Sequence, residues 1–213
     1  MIRLALVVAN ADFVDVRIEA GYANDASYKE AWFAVKHVLG GSILEFPNLP
    51  YYLEDDTIKL TQSDAILRHI GRKYNLFPTN MPEYRFDMLS EEIKDLDAVF
   101  IRLSYGSGPD GVARWIKEDL PLQLAVWRRI AHSGDSFIDD QDKISILDIK
   151  LYCFLRKVKF AQSELNIQPS MHEGWVDVYL KRVENVPQVN AYVYSPHYLH
   201  RPLNNPHAMF GNK

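Results

Sequence analysis

One cysteine, Cys153, stands in 213 residues, which excludes an intramolecular disulfide and any Cys-x-x-Cys metal or redox pair. A lone thiol fits a reducing compartment, and a cytoplasmic location is expected. Long runs of one charge are also missing: 24 basic against 28 acidic residues give a formal net charge of -4, so no nucleic-acid footprint is expected. The apolar stretch from Leu4 to Ala9 falls far short of the roughly 20 residues that cross a bilayer. Asn10 and Asp12 follow it at once, so neither a signal peptide nor a membrane span is read here. The seven histidines show no ligand spacing, and no glycine-rich loop follows a strand, leaving metal, nucleotide and flavin sites without support. Internal repeats and low-complexity segments are absent.

What is present is 47% apolar content, enough for a substantial core and for two modest domains sharing an interface. Twelve Tyr, ten Phe and four Trp mostly fill cores, so only their positions bear on ligands. Residues 13–18 alternate, with Phe13, Val14, Val16 and Ile18 apolar around Asp15 and Arg17, the period of a half-buried strand. A loop over 21–27 precedes a short helix over 28–39, around Trp32 and Val35, stopped by Gly40 and Gly41. Residues 46–53 and 58–60 flank the acidic turn Glu54-Asp55-Asp56-Thr57 and read as a hairpin. Ser63 or a neighbour caps the next helix, which ends near Tyr74 and Asn75.

Pro78 and Pro82 bracket the best linker, 77–82. This divides the chain into a first domain over 1–76 and a second over 83–213. Beyond the linker the period is helical throughout, over about 84–103, 111–133, 146–160 and 175–184, with a short helix after Pro187. Ser145-Ile-Leu-Asp148 has the form of a capping box with Asp in place of Glu, and Lys157 and Lys159 sit toward the other end of that helix. It is expected to be central and buried.

Strand, helix, hairpin and helix before an all-helical half suggest a thioredoxin-like domain joined to a bundle. The segments Phe46-Pro-Asn-Leu-Pro-Tyr51, Thr61-Gln-Ser-Asp-Ala-Ile-Leu-Arg68 and Arg72-Lys-Tyr-Asn-Leu76 resemble mu-class glutathione transferases almost residue for residue. Ile144 to Asp148, His200 to Leu203 and Met209 to Lys213 extend the resemblance over nearly the whole chain. It implies a glutathione transferase fold: an α/β thioredoxin-like N-terminal domain plus an all-α C-terminal helical bundle.

The resemblance also implies a glutathione site and its division of labour. A cis Leu49-Pro50 peptide presents the Leu49 backbone to the cysteinyl moiety like an added strand, while Gln62 and Ser63 at a helix N-terminus receive the γ-glutamyl carboxylate. Trp32, Lys36 and Asn48 hold the glycyl end. Lys29 stands where the family often has Arg, keeping the charge and losing the bidentate fork. Asp95 reaches the γ-glutamyl amine across a dimer interface, Tyr105 and Phe210 line the electrophile pocket, Phe46 plugs a pocket of the partner and Arg68 lies at the dimer axis. A homodimer is expected. Taken singly, Gln62 and Ser63 are equally a helix cap, Trp32 core, the lysines a solvated face and the prolines turn residues; their joint order and spacing carries the functional reading.

The family's catalytic tyrosine ends its first strand, where the hydroxyl favours the glutathione thiolate. Here Ile2 to Leu6 matches the family's first helix and residues 13–18 its second strand, so the first strand and that tyrosine have no counterpart and catalysis is expected to be weak or lost. Three accounts stand: residues 4–8 refold as the strand, the sequence is a shortened form of a complete enzyme, or a partner fills the gap. Tyr22, Tyr28 and Tyr51 have no clear claim as substitutes. An insertion around 38–42 is expected to keep the glycyl-end ligands from converging, and the glycines of 104–111 to make that stretch flexible. The functional expectation is therefore conjugation of glutathione thiolate to a small hydrophobic electrophile, if active. The alternative is a non-catalytic dimeric ligand-binding or structural subunit.

Overall fold

Ser145 begins the helix around which the rest is built. In the computed structural model, which describes residues 1–19, 21, 29–41, 43–138, 142–169 and 173–212, the Ser145 Oγ accepts from the Asp148 backbone N–H at 3.3 Å and the Asp148 carboxylate accepts from the Ser145 N–H at 2.8 Å. This reciprocal box satisfies two donors that a helix start otherwise leaves orphaned. The helix that follows runs Ile146–Glu164 and buries Ile146, Leu147, Ile149, Leu151, Tyr152, Phe154, Leu155 and Val158, so it presents apolar surface nearly all round, as a central helix must. Because it continues to Glu164, Lys157 and Lys159 fall before its last turn and reach sideways instead, to Asp97 at 2.5 Å and to Asp177 at 2.7 Å.

The elements in chain order are α1 (Ile2–Val8), α2 (Glu30–Leu39), β1 (Tyr51–Glu54), β2 (Ile58–Thr61), α3 (Ser63–Lys73), α4 (Glu83–Gly106), α5 (Gly108–Glu118), α6 (Leu120–Ile130), α7 (Ile146–Glu164), α8 (Gly174–Glu184) and α9 (Pro187–Val193). A 3-10 turn at His132–Gly134 follows α6. Packing places α4, α5 and α8 against α7, while α3 reaches it with α1 alongside. Gly71 permits the approach of α3: a Cβ there would lie 2.6 Å from Ile146 Cδ1 and 2.9 Å from Phe77 Cε2, closer than packed atoms come.

The stretch 13–18 is not a strand. Among the described residues the sheet contains only β1 and β2; residues 13–18 pair with neither, and alternation alone does not bring a stretch to a sheet edge. Val14 is 89% exposed. What fixes the stretch is charge: Asp15 accepts from Arg3 Nε at 2.6 Å and from Arg17 Nε at 2.8 Å, and Arg17 Nη2 donates to the His197 carbonyl at 2.6 Å. Burial pushes the Asp15 carboxyl up, but the two guanidiniums outweigh it and hold its pKa below the ordinary value. Residues 4–8 belong to α1, with Leu4, Ala5 and Leu6 buried, and do not rebuild a strand.

The single helix expected over 111–133 is two. Pro121 lies in the first turn of α6, where its missing N–H costs nothing and where a continuing α5 would need it. The stretch 104–111 is not a free loop either. α4 extends to Gly106, α5 restarts at Gly108, and the Ser104 carbonyl accepts from both Met209 N at 2.9 Å and Phe210 N at 3.1 Å. Gly108 holds φ +60°, where an L side chain is strained, and an added Cβ would crowd Met209 Cβ at 3.2 Å. The C-terminal segment thus clamps the junction of α4 and α5. Of the described residues, no helix is long and apolar enough to cross a membrane.

Candidate functional site

The hairpin makes the site. β1 and β2 pair antiparallel with Tyr51 opposite Thr61, so the residues just outside the ladder, Pro50 before β1 and Gln62 after β2, leave the same end side by side. The Leu49-Pro50 peptide is cis. Leu49 is partly exposed, and its N–H donates to the Asn48 Oδ1 at 2.9 Å. Gln62 occupies the N-cap position of α3 at φ 71°, ψ 114°, and no side chain caps the helix. The first-turn N–H groups of α3 therefore stand beside Leu49, with the positive end of the helix dipole behind them.

The second wall comes from α2. Trp32 and Lys36 are one turn apart and both half-buried, which puts them on one face. Lys36 lines an open depression of about 590 Å³ with Phe33, His37, Gly40 and Pro47. Despite the extra residues around 38–42, the chain returns: the Leu44 N–H donates to Leu39 O at 2.8 Å, and Gly40 and Leu44 form an isolated bridge. Lys36 consequently stands near Pro47, one residue before Asn48. Lys29 is the exposed N-cap of α2.

The other expected site residues are placed as follows by the structure. Asp95 is exposed on α4. Tyr105 is 37% exposed at the end of α4, and its hydroxyl oxygen accepts from Asn205 N at 3.3 Å. Phe210 is buried, edge-on to Phe100 with centroids 6.3 Å apart. Neither lines the cavity of about 160 Å³ between α4 and α5, which Val99, Arg102, Leu103, Arg114 and Trp115 help to form. Phe46 is 73% exposed. Arg68 turns inward to Asp87 at 2.5 Å and lies over the Phe86 ring at 4.9 Å. Tyr22 and Tyr28 lie outside the described residues; Tyr51 is half-buried on β1.

Two clusters escaped sequence reasoning. Glu54 on β1 accepts from the Tyr52 hydroxyl at 2.7 Å, contacts His69 Nε2 at 3.2 Å and pairs with Lys73 Nζ at 2.7 Å. The signal was there: His69 and Lys73 are four apart on α3 and so share a face. Lys73, then Tyr52 and His69, pull the Glu54 pKa down to about 2; burial first, then Glu54, pushes the Tyr52 hydroxyl up. The cluster locks the hairpin to α3. Because the folded pKa of Glu54 lies below its ordinary value of 4.5, its contribution is complete above about pH 4.5 and is lost as pH falls toward 2. Glu54→Gln is expected to lower the thermal midpoint at pH 7 by about 2–4 °C, a value that allows for solvent screening. The variant should also flatten the loss between pH 4.5 and 2. Acid titration of both proteins by near-ultraviolet circular dichroism checks this; parallel curves would refute it. The second cluster centres on Lys150 of α7, which meets Ser90 of α4 and Asp64 of α3.

A cis-proline turn set against an uncapped helix start, on a small sheet-and-helix unit joined to a helical bundle, offers backbone groups and a helix N-terminus of the kind that suit an extended, carboxylate-bearing ligand. A family model described as glutathione S-transferase, N-terminal domain, matches residues 1–72. A glutathione S-transferase of Dermatophagoides pteronyssinus is 35% identical over 193 residues, which are 90% of this chain and 83% of that protein. Glutathione S-transferase Mu 2 of Macaca fuscata fuscata is 32% identical over 214 residues, 100% of this chain and 93% of the relative. Among solved structures, the glutathione S-transferase Blo t 8 superposes with a TM-score of 0.80 at 26% identity, covering 99% of this chain and 93% of its own. The chain belongs to the glutathione S-transferase family.

Proposed function

We propose that the chain is a mu-like, cytoplasmic, homodimeric glutathione transferase, with its two domains divided at 77–82. In this reading, glutathione lies along the hairpin mouth and its thiolate adds to a small hydrophobic electrophile, with a leaving group departing with its electron pair. The observation that carries it is the register of β1 and β2, which sets cis Leu49-Pro50 beside Gln62 and Ser63. The Leu49 N–H now bonded to Asn48 Oδ1 exchanges that partner for the cysteinyl carbonyl. The first turn of α3 with Ser63 and Gln62 takes the γ-glutamyl carboxylate. Lys36, Trp32 and Asn48 hold the glycyl end with Lys29 near it, and Asp95 meets the γ-glutamyl amine across the dimer interface. Tyr105 and Phe210 border the electrophile.

Catalysis by these 213 residues is weak in this reading. Thiolate formation needs a donor over the sulfur, and the Tyr52 hydroxyl on the hairpin already donates to Glu54. The expected results are retention on immobilised glutathione, elution by free glutathione, and slow conjugation of an aromatic halide. Ser63→Ala removes a hydrogen bond to a charged group and should weaken glutathione binding by about 1.5–3 kcal/mol, roughly ten- to a hundredfold. Turnover like that of an ordinary transferase would overturn weak catalysis; a folded dimer that ignores glutathione would leave a dimeric scaffold as the function.

A further inference from the structure

Lys150 sits on the central helix α7 and is 4% exposed. An ammonium so placed is costly unless it is hydrogen-bonded and its charge is offset. Here Nζ donates to the Ser90 carbonyl at 2.8 Å and to the Ser90 Oγ at 2.9 Å, and it forms an ion pair with Asp64 Oδ1 at 2.8 Å. Ser90 belongs to α4. Asp64 belongs to the first turn of α3, one residue after Ser63 and two after Gln62. A single lysine of the bundle therefore reaches the helix start that forms one wall of the candidate site.

Two features of that helix start call for such a tie. Gln62 holds φ 71°, ψ 114°, a backbone region that is strained for a non-glycine residue and persists only where its surroundings enforce it. No side chain caps the helix, so the enforcement comes from what anchors the turn, namely the buried Ile66 and Leu67 and the pairing of Asp64. Charge is the second feature. A carboxylate at the N-terminus suits the helix dipole, but next to an anion-binding position it repels the anion and competes for the same potential. Lys150 draws the Asp64 carboxylate toward the bundle and offsets its charge.

We propose that Lys150 is a positioning residue for glutathione: by pairing with Asp64 from inside the bundle, it keeps the N-terminus of α3 set and electrically open to the γ-glutamyl carboxylate. The inference rests on the glutathione-binding reading above and adds a residue and a charge balance to it. Lys150 is not evident from the sequence because its partners lie on two other helices, although a lysine between Ile149 and Leu151 interrupts the apolar residues of that helix.

The test is the ratio of two affinities, measured by titration calorimetry. One ligand is S-methylglutathione, and the other is the same compound with its γ-glutamyl α-carboxylate converted to the amide. K150M leaves Asp64 uncompensated and should lower the affinity ratio, carboxylate over amide, about tenfold. D64N should raise it, and K150M/D64N should return it near the unmodified value. A purely structural lysine would weaken both ligands alike and leave the ratio unchanged in every variant, which overturns the inference while sparing the proposed function. If the unmodified protein binds neither ligand, the function falls first and the inference with it. Should K150M fail to fold, D64N and the double variant, which leaves no lone acid, still decide the matter through the same ratio.

Discussion

Replacing Asp148 with alanine is expected to cost about 3–5 kcal/mol of stability, the penalty for stripping one partner from a buried polar network. The carboxylate is fully buried and accepts four hydrogen bonds: from Ile138 N at 2.8 Å, Ser145 N at 2.8 Å, Ser145 Oγ at 2.6 Å and the Tyr179 hydroxyl at 2.7 Å. Burial drives its pKa up while those donors pull against the rise, and the net direction is upward. Alanine leaves all four donors in an apolar interior at once, and it removes the N3 half of the capping box that starts α7. Since whole domains are stable by only about 5–15 kcal/mol, this is a large share of the total, and the urea midpoint should fall sharply. Asp148→Asn, which keeps the shape and part of the acceptor capacity, should lose less. Urea unfolding of the three proteins checks the order; a midpoint for D148A within error of the unmodified protein would refute the account.

The second large effect concerns association. Phe46 is a large apolar side chain left 73% exposed beside the hairpin mouth, where a partner's pocket would cover it. Under the homodimer reading, Phe46→Glu removes an aromatic anchor and puts a charge in its place, weakening the dimer by about 2–4 kcal/mol, roughly 30- to 1000-fold in Kd. Sedimentation across a concentration series reads this directly. A variant that stays dimeric over the same range would sink the role of Phe46. Arg68 is a less direct probe of the interface, because within this chain it already ties α3 to α4 through Asp87 and the Phe86 ring.

The residues that told most about the fold were those whose signal is local. Glu54 to Thr57 announced the hairpin turn, and the Ser145 and Asp148 pair announced α7, because a turn and a cap are each decided within four residues. Residues 13–18 misled for the converse reason. Alternation describes how a face would be buried, not whether a neighbouring strand exists to receive the ladder, and the neighbours here are Arg3 and the His197 carbonyl. The 3.6-residue rhythm likewise ran through Pro121 unbroken, since a proline inside the first turn of α6 is compatible with that rhythm. At the site, the order of residues 46–51 and 61–68 made the cradle legible through resemblance. Lys150 and Glu54 were legible only in part: the i, i+4 spacing of His69 and Lys73 marks one face of α3, but which partners meet there is decided by other elements.

The position of α1 has a consequence for biosynthesis. Its apolar side rests on α3, α7 and α9, and the adjoining stretch is fastened through Arg17 to the carbonyl of His197. At about 5–20 residues per second, α9 follows α1 out of the ribosome after roughly 10–40 s. During that interval Leu4, Ala5 and Leu6 have only the part of their seat that α3 and α7 supply once made, so α1 settles fully only late in synthesis, and a stalled nascent chain would carry some of that greasy side uncovered.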